Sequence, residues 1–485
     1  MAAIRRELAF TYAKVISVRE VNIVKVLRLG SMKDKRSLND NKYADIFLML
    51  FISITVFLML CSIIWVYHVR VLNAPKVYSD GFGYYVYLPA LIYRDFTFGF
   101  VEGWEHPLTL ISVGRQSVNK YPVGIAIMES PFFFAAHLFS LLRDALTGSM
   151  TATGYSNLYQ YMVLFGGVCY WAVGTILLYK LLVKYLGFSG KVSLLTCIVI
   201  TYGTNLFHYA SYDACFSHIY SYFLFNMFLY YLCWYEERDA EGKNKLWNTC
   251  VFGFLAGMIF MCRNTNILFV LTYVLYGVKG WKTLKERMAK ILKPIRVVPI
   301  VLTGCMTIIP QLLYWHTATG QWLLYSYGDE PFYWLSPQLG NFLFSVRKGL
   351  FFWNPVLFLA LVGIVVAFQV KGKLYTGLVV FLALIVYVSS AWWSWYYGGS
   401  FAQRVVVDFM CLFAIFIGSL LDRLEKWKEQ ETRGYKYIFI SRVVYVYCGI
   451  CILWNLICMM AYWYRVLPCD GADWSTVRDI VEMIL

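Results

Sequence analysis

Hydrophobic positions along this chain gather in runs of about 20 residues, each enough for one helix across roughly 30 Å of hydrocarbon. The pattern predicts spans at 45–67, 158–182, 192–209, 213–235, 248–262, 264–278, 297–319, 351–369, 375–393, 405–421 and 443–464. The pair 248–262 and 264–278 is short and meets at Arg263-Asn264-Thr265-Asn266, which suits two tilted spans. Between the first two spans lies a long segment, 70–157, with two further apolar pieces. One, 84–93, is too short to cross. The other, 121–142, is long enough, but Pro122, Glu129 and Pro131 interrupt it and it ends in Arg143-Asp144.

Charge decides how these pieces are threaded. If 121–142 does not cross, then 1–44, 180–191, 236–247, 279–296, 370–374 and 422–442 fall on one side. They hold 10, 3, 3, 7, 2 and 6 Lys and Arg, thirty-one of the chain's 43. If 121–142 crossed, the later basic loops would oppose the N-terminus. Membrane proteins keep Lys and Arg on the cytoplasmic side, so eleven spans are expected, with the N-terminus inside and the C-terminus outside. The segment 121–142 then becomes a re-entrant or interfacial helix. The expected layout is an all-α polytopic domain at 45–464, a basic cytoplasmic segment at 1–44, a first outer loop at 70–157 and a short outer tail at 465–485.

Composition agrees with this layout. With 60% hydrophobic and 15% charged residues, the chain reads as one membrane domain. A net charge of +15 would suggest nucleic acid in a soluble protein; here the positive-inside bias accounts for it, and no basic stripe with stacking aromatics stands outside the membrane. The thirteen cysteines lie mostly in apolar runs and read as buried thiols. No cleavable signal peptide is expected, because 1–44 has no continuous apolar core. No internal repeat marks the two halves of a transporter.

An ionisable residue inside a span costs about 2.5–3.5 kcal/mol on insertion scales, so each needs a partner or a task. Asp80 is the first acid after the first span, in Ser79-Asp80-Gly81, and is expected on a flexible turn at the outer surface. It reads either as a solvated cap or as a catalytic carboxylate. Arg404 and Asp408, four apart at the start of the tenth span, read as an intramembrane i,i+4 pair. Alternatively Arg404, beneath Gly398-Gly399-Ser400, grips a phosphate and Asp408 orients it. Arg263 either snorkels to the nearer surface or lines a polar cavity with Arg404. His218, with Asp213 and Ser217, sits at a short outer turn, where a structural role competes with a chemical one. Asp329 and Glu330 are adjacent outer acids that could bind sugar hydroxyls or an ion, or simply face water. The outer aromatics, including Tyr327 and Trp393, serve as an interfacial belt or stack on sugars. Zinc spacing, a glycine-rich nucleotide loop and a Gly-x-Ser-x-Gly elbow are all missing.

Taken in order, several pieces carry a resemblance. They are Ser79-Asp80-Gly81 with Tyr84-Tyr85, Lys120-Tyr121-Pro122-Val123-Gly124, Phe216-Ser217-His218 and Gly257 to Asn266. Tyr327 to Phe332, Lys348-Gly349-Leu350-Phe351 and Gly398 to Arg404 complete the set. The chain resembles the GT-C glycosyltransferases, and within them the bacterial dolichyl-phosphate-mannose–protein mannosyltransferase-like and lipid A aminoarabinose transferase group. That resemblance implies transfer of a sugar from a polyprenyl-phosphate donor to an envelope lipid, glycan or protein acceptor at the outer face of the plasma membrane. It implies Asp80 as general base, with Arg404, Lys120, Arg263 and Lys348 on the donor phosphate. Tyr84, Tyr85, Tyr121, His218, Tyr327, Asp329, Glu330 and Trp393 would hold sugar or acceptor, and Asp408 would orient Arg404. The partners expected are the lipid-linked donor, membrane lipids and the acceptor. The residues call for no cofactor and no metal site. Where the family often carries an Asp-Glu pair, this chain has Asp80-Gly81. A transporter or lipid flippase, and a surface-glycan polymerase or ligase, are the competing readings.

Overall fold

The computed structural model describes residues 43–70, 74–101, 110–113, 116–328, 330–370, 372–428 and 434–484. Nearly all of the basic segment read at 1–44 lies outside them, as does Asp329.

Six helices among the described residues are long and apolar enough to cross a membrane, which makes the chain a multi-pass membrane protein. They are Tyr43–His68 (α1), Gly124–Thr147, Asn157–Tyr185, Pro294–Thr319, Arg404–Lys428 and Tyr435–Trp463. Shorter apolar helices, at Gly190–Tyr202, Leu246–Cys262, Asn264–Val274, Pro355–Gln369 and Tyr375–Ala391, fill the space between them. A further helix, Ser217–Ala240, is rich in Tyr and almost wholly buried on its first three turns.

The first loop carries two short helices, α2 (Ser79–Tyr85) and α3 (Tyr87–Tyr93), and a hairpin of β1 (Leu110–Val113) and β2 (Gln116–Asn119). The strands pair antiparallel, Leu110 with Asn119 and Val113 with Gln116, the one departure from an all-α chain among the described residues. Then comes α4 (Gly124–Thr147), which Pro131 does not break. Proline has no N–H for the carbonyl one turn back, that of Ile127, and Ser130 Oγ donates to it instead at 2.8 Å. Glu129 is likewise accommodated, fully buried and accepting from the Tyr220 hydroxyl at 3.1 Å. This corrects the expectation that Glu129 and Pro131 interrupt the segment.

The helices that follow are α5 (Asn157–Lys180), α6 (Gly190–Tyr202), α7 (Leu206–Ser211), α8 (Ser217–Ala240) and α9 (Leu246–Cys262). The expected span 192–209 is in fact two helices with a break at Gly203–Asn205. Asn205 explains the break: its backbone N–H donates to Asn354 Oδ1 at 2.9 Å, and its side chain donates to the carbonyls of Phe401 and Gln403. The expected span 264–278 is a 3-10 turn, Asn264–Val270, running into the four-residue α10 (Leu271–Val274).

After α11 (Trp281–Ile291) and α12 (Pro294–Thr319) come the short α13 (Leu339–Phe344) and α14 (Leu350–Trp353). The chain continues with α15 (Phe358–Val370), α16 (Tyr375–Ala391), a 3-10 turn at Arg404–Phe409, α17 (Met410–Lys428), α18 (Gly434–Trp463) and α19 (Trp474–Ile484). The core is built around α17, whose apolar window is buried throughout among α6, α8, α15 and α18. By contrast α1, α12 and α18 turn large apolar side chains outward, such as Phe57, Leu302 and Leu453, as a helix facing lipid does.

Candidate functional site

Asp80 sits in the first turn of α2, a correction to the flexible turn expected from its glycines. A carboxylate there faces the positive end of the helix dipole. Gly81 is required by packing. A Cβ on it would lie 2.4 Å from Cys215 Sγ and 3.2 Å from Phe216, so no larger side chain fits without displacing the start of α8.

One Asp80 oxygen lies 3.0 Å from Arg404 Nη1 and the other accepts the Tyr121 hydroxyl at 2.7 Å. Burial works to raise the Asp80 carboxyl, yet Arg404, the Tyr121 hydroxyl, His218 and Arg263 outweigh it and hold the group below the usual carboxylate range. The side chain keeps 22% of its surface exposed. Tyr121 is delivered by the hairpin. Asn119, the last residue of β2, donates to the Gly83 carbonyl at 2.6 Å and accepts the Tyr121 N–H at 3.0 Å, and the Tyr87 hydroxyl holds the Tyr121 carbonyl at 2.6 Å. Tyr84 packs its ring 4.7 Å from that of Tyr121.

Beside this pair lies a second charged group centred on Asp408, which is fully buried. His218 Nδ1 donates to one oxygen at 2.6 Å, Asn266 donates to the other at 2.9 Å, and Arg263 Nε lies 3.7 Å from the latter. Arg263 also places Nη1 3.4 Å from His218 and its guanidinium 5.8 Å from the Tyr397 ring. The expected i,i+4 pair between Arg404 and Asp408 does not form, and Asp408 does not orient Arg404. The two residues lie near opposite ends of a 3-10 turn, Arg404–Phe409, rather than on an α-helix, and each turns to a different partner. Arg404 lies over Phe216 at 5.8 Å and reaches Asp80.

The remaining expected residues divide. Lys120 forms an ion pair with Glu330 and stands 5.0 Å from the Tyr327 ring, while Ser326 Oγ holds the Lys120 carbonyl at 2.7 Å. This places Lys120, Glu330 and Tyr327 together next to Tyr121. Tyr85 points away: its ring is buried against Phe133 and Tyr155 and its hydroxyl donates to the Gly154 carbonyl, so it is not free to touch a substrate. Trp393 stands exposed, and it is Trp392 whose ring meets Tyr327 and Phe332, at 6.1 and 4.6 Å. Lys348 is buried, with its amine donating to the carbonyls of Ser400 and of Cys469, the latter at 2.6 Å. That takes it out of direct competition for a phosphate.

The sequence pattern gave no sign of a buried chain behind α2. The Trp463 indole N–H donates to His208 Nδ1 at 2.9 Å, His208 Nε2 then donates to Asp213 at 3.0 Å, and Asp213 accepts the Tyr78 hydroxyl at 2.6 Å. Tyr78 is the residue that caps α2, so this chain fixes the helix bearing Asp80. His208 and Asp213 are five apart in sequence, but Tyr78 and Trp463 reach them over 135 and 255 residues, which no local spacing could show. Among the described residues no group of three His, Cys, Asp or Glu side chains could hold a metal ion.

The cluster therefore offers an ionised, partly open carboxylate flanked by two guanidiniums, Arg404 and Arg263, that are 14% and 19% exposed. A guanidinium carries five N–H donors, so both can meet an anion while keeping their present partners.

No family model matches the chain, and no curated protein matches its sequence. Among solved structures it is similar to the archaeal oligosaccharyltransferase AglB from Archaeoglobus fulgidus in complex with an inhibitory peptide and a dolichol-phosphate, at 10% identity and a TM-score of 0.47. That likeness covers 87% of this chain and 56% of the other. It is also similar to the Archaeoglobus fulgidus oligosaccharyltransferase in the apo form, at 10% identity and a TM-score of 0.48, over 83% and 55% of the two chains. The same oligosaccharyltransferase tethered with an acceptor peptide containing the NVT sequon via a disulfide bond gives 9% identity and 0.48, over 87% and 56%. The chain thus spans about half the length of the solved structures it matches.

Proposed function

We propose that this chain is a GT-C-type membrane glycosyltransferase of about eleven spans, moving a sugar from a polyprenyl-phosphate donor to an envelope lipid, glycan or protein acceptor. The observation that carries the reading is Asp80: partly open, ionised, one oxygen on Arg404 and the other on Tyr121. The acceptor O–H gives its proton to Asp80 as its oxygen forms a bond to the anomeric carbon. The bond from that carbon to the phosphate oxygen breaks, and its electron pair leaves on the lipid phosphate. Asp80 then returns its proton to water. A carboxylate of low basicity suffices because a phosphate is a good leaving group.

The developing phosphate charge is met by Arg404 and Arg263, fixed cations at a site shielded from bulk water. Lys120 reaches the same rim from the hairpin side, and Tyr121 and Tyr327 offer ring faces for the sugar, while Tyr84 is buried and backs the Tyr121 ring. Asp408 and His218 act one step back, by holding Arg263. Glu330 belongs to the rim of the acceptor side in this reading. The chemistry as written uses no metal.

The reading places Asp80, Lys120 and Arg404 on the extracytoplasmic face of the plasma membrane, with 121–142 not crossing and the N-terminus cytoplasmic. Purified protein in vesicles, given radiolabelled polyprenyl-phosphate sugars and cell-envelope acceptors, is expected to release polyprenyl phosphate and label an acceptor. If no labelled sugar leaves the donor, the reading fails. The topology is tested by Glu286→Cys: labelling from inside only is expected, and labelling from outside would overturn the threading.

A further inference from the structure

We propose that Lys348 is a positioning residue for Arg404, acting as a clamp that fixes the 397–404 loop against the segment after the last span. The inference rests on Arg404 facing the donor phosphate, and it gives both Lys348 and the tail a task within that site.

The loop that delivers Arg404 is strained. Tyr397 and Ala402 have φ of 55° and 53°, in the left-handed region that side chains other than glycine disfavour, and Gly398 has φ of 65° between them. Such a conformation persists only where its surroundings hold it. Those surroundings are specific. The Lys348 amine donates to the Ser400 carbonyl inside the loop and to the Cys469 carbonyl in the tail. The Ser400 N–H donates to the same Cys469 carbonyl at 2.8 Å. One residue away, Arg347 makes two hydrogen bonds to Asp470, at 2.9 and 2.8 Å, and stacks its guanidinium 3.4 Å over the Tyr396 ring. Two adjacent cations from one turn therefore grip the tail and the loop together.

Lys348 is only 2% exposed, so its ammonium is not offered to a ligand in the way Arg404 is. Burial draws the amine down to about 7, with Asp470 and Cys469 opposing that drift and Arg404 and Arg347 adding to it.

Hydrogen exchange on the full chain in vesicles tests the clamp without any assay of transfer. Lys348→Met is expected to speed exchange at 398–404 and 466–471 together, because one amine ties both. Should that variant not fold, Asp470→Ala, which frees the tail from Arg347 and leaves Lys348 in place, is expected to loosen the same two segments to a smaller degree. Exchange unchanged in both segments would overturn the proposal. Where transfer is measurable, Lys348→Met should lower kcat by about tenfold, yet change the rate by less than about twofold once Arg404 is already Gln. Multiplying effects would mean that Lys348 meets the donor independently, and would overturn the positioning role. A chain with no transfer activity but with coupled exchange would retain the clamp and lose the glycosyltransferase reading.

Discussion

Two carboxylates, Asp80 and Asp408, sit in one charged cluster and differ in nearly everything that decides reactivity. Asp408 has no exposed surface, and its two oxygens are held by His218, Asn266 and Arg263. Asp80 keeps 22% of its surface, with Arg404 at one oxygen and Tyr121 and a long Ser79 contact at the other. A buried carboxylate closed in by its partners is poorly placed to take a proton from a substrate. A partly open one, on a helix tied down from behind by Tyr78 and Asp213, can do so. The same residue type thus serves as scaffold at one end of the cluster and as proposed base at the other. Exposure separates the two roles; charge and the number of partners do not.

The contrast is broken most severely at Asp408. Asp408→Ala leaves the buried His218 and the partly buried Arg263 without their acid, and removing one partner of such a group costs about 3–5 kcal/mol. A thermal or denaturant midpoint should fall accordingly, and an unchanged midpoint would mean that Asp408 is not the scaffold. Next comes Arg404→Gln, expected to slow transfer by about 10²-fold through loss of charge stabilisation at the phosphate. It should also change the pH profile. In the wild type the Asp80 carboxyl lies below the usual range, so it stays ionised from about pH 5 upward and contributes no acid limb there. Without Arg404 the burial that raises it is less opposed, its pKa rises, and the rate should fall as pH drops through the raised value. The smallest effect is expected at the Lys120–Glu330 pair, whose side chains are 19% and 26% exposed. Glu330→Gln should move stability by about 0–1 kcal/mol, since water screens such a pair.

The membrane class was legible in the sequence, because apolar runs of that length recurring along a chain need hydrocarbon around them. Asp80, Arg404, Arg263, His218 and Lys120 also stood out there, and the fold gathers all five into one region. How they pair was not legible. The Asp408 partners His218 and Asn266 lie 190 and 142 residues away in sequence, while the nearby Arg404 turns elsewhere. Helical spacing suggested a local pair, and a 3-10 turn at that point removed it. Asp80-Gly81 was expected on a flexible turn, and Gly81 is a packing requirement against Cys215. Tyr85 looked like a neighbour of Tyr84, but successive helix positions face different ways, and its hydroxyl ends on Gly154. The break at Asn205 was hidden because its partners, Asn354, Phe401 and Gln403, come from distant loops.

The most direct test of Asp80 as base is the rate of sugar transfer by Asp80→Asn, read beside its thermal midpoint. Asn keeps the shape and a hydrogen-bonding partner for Tyr121 but cannot accept the acceptor's proton. A fall of about 10²–10⁴-fold is predicted in a chain that still unfolds cooperatively, its midpoint lowered by the lost Arg404 ion pair. Transfer at the wild-type rate would contradict the account.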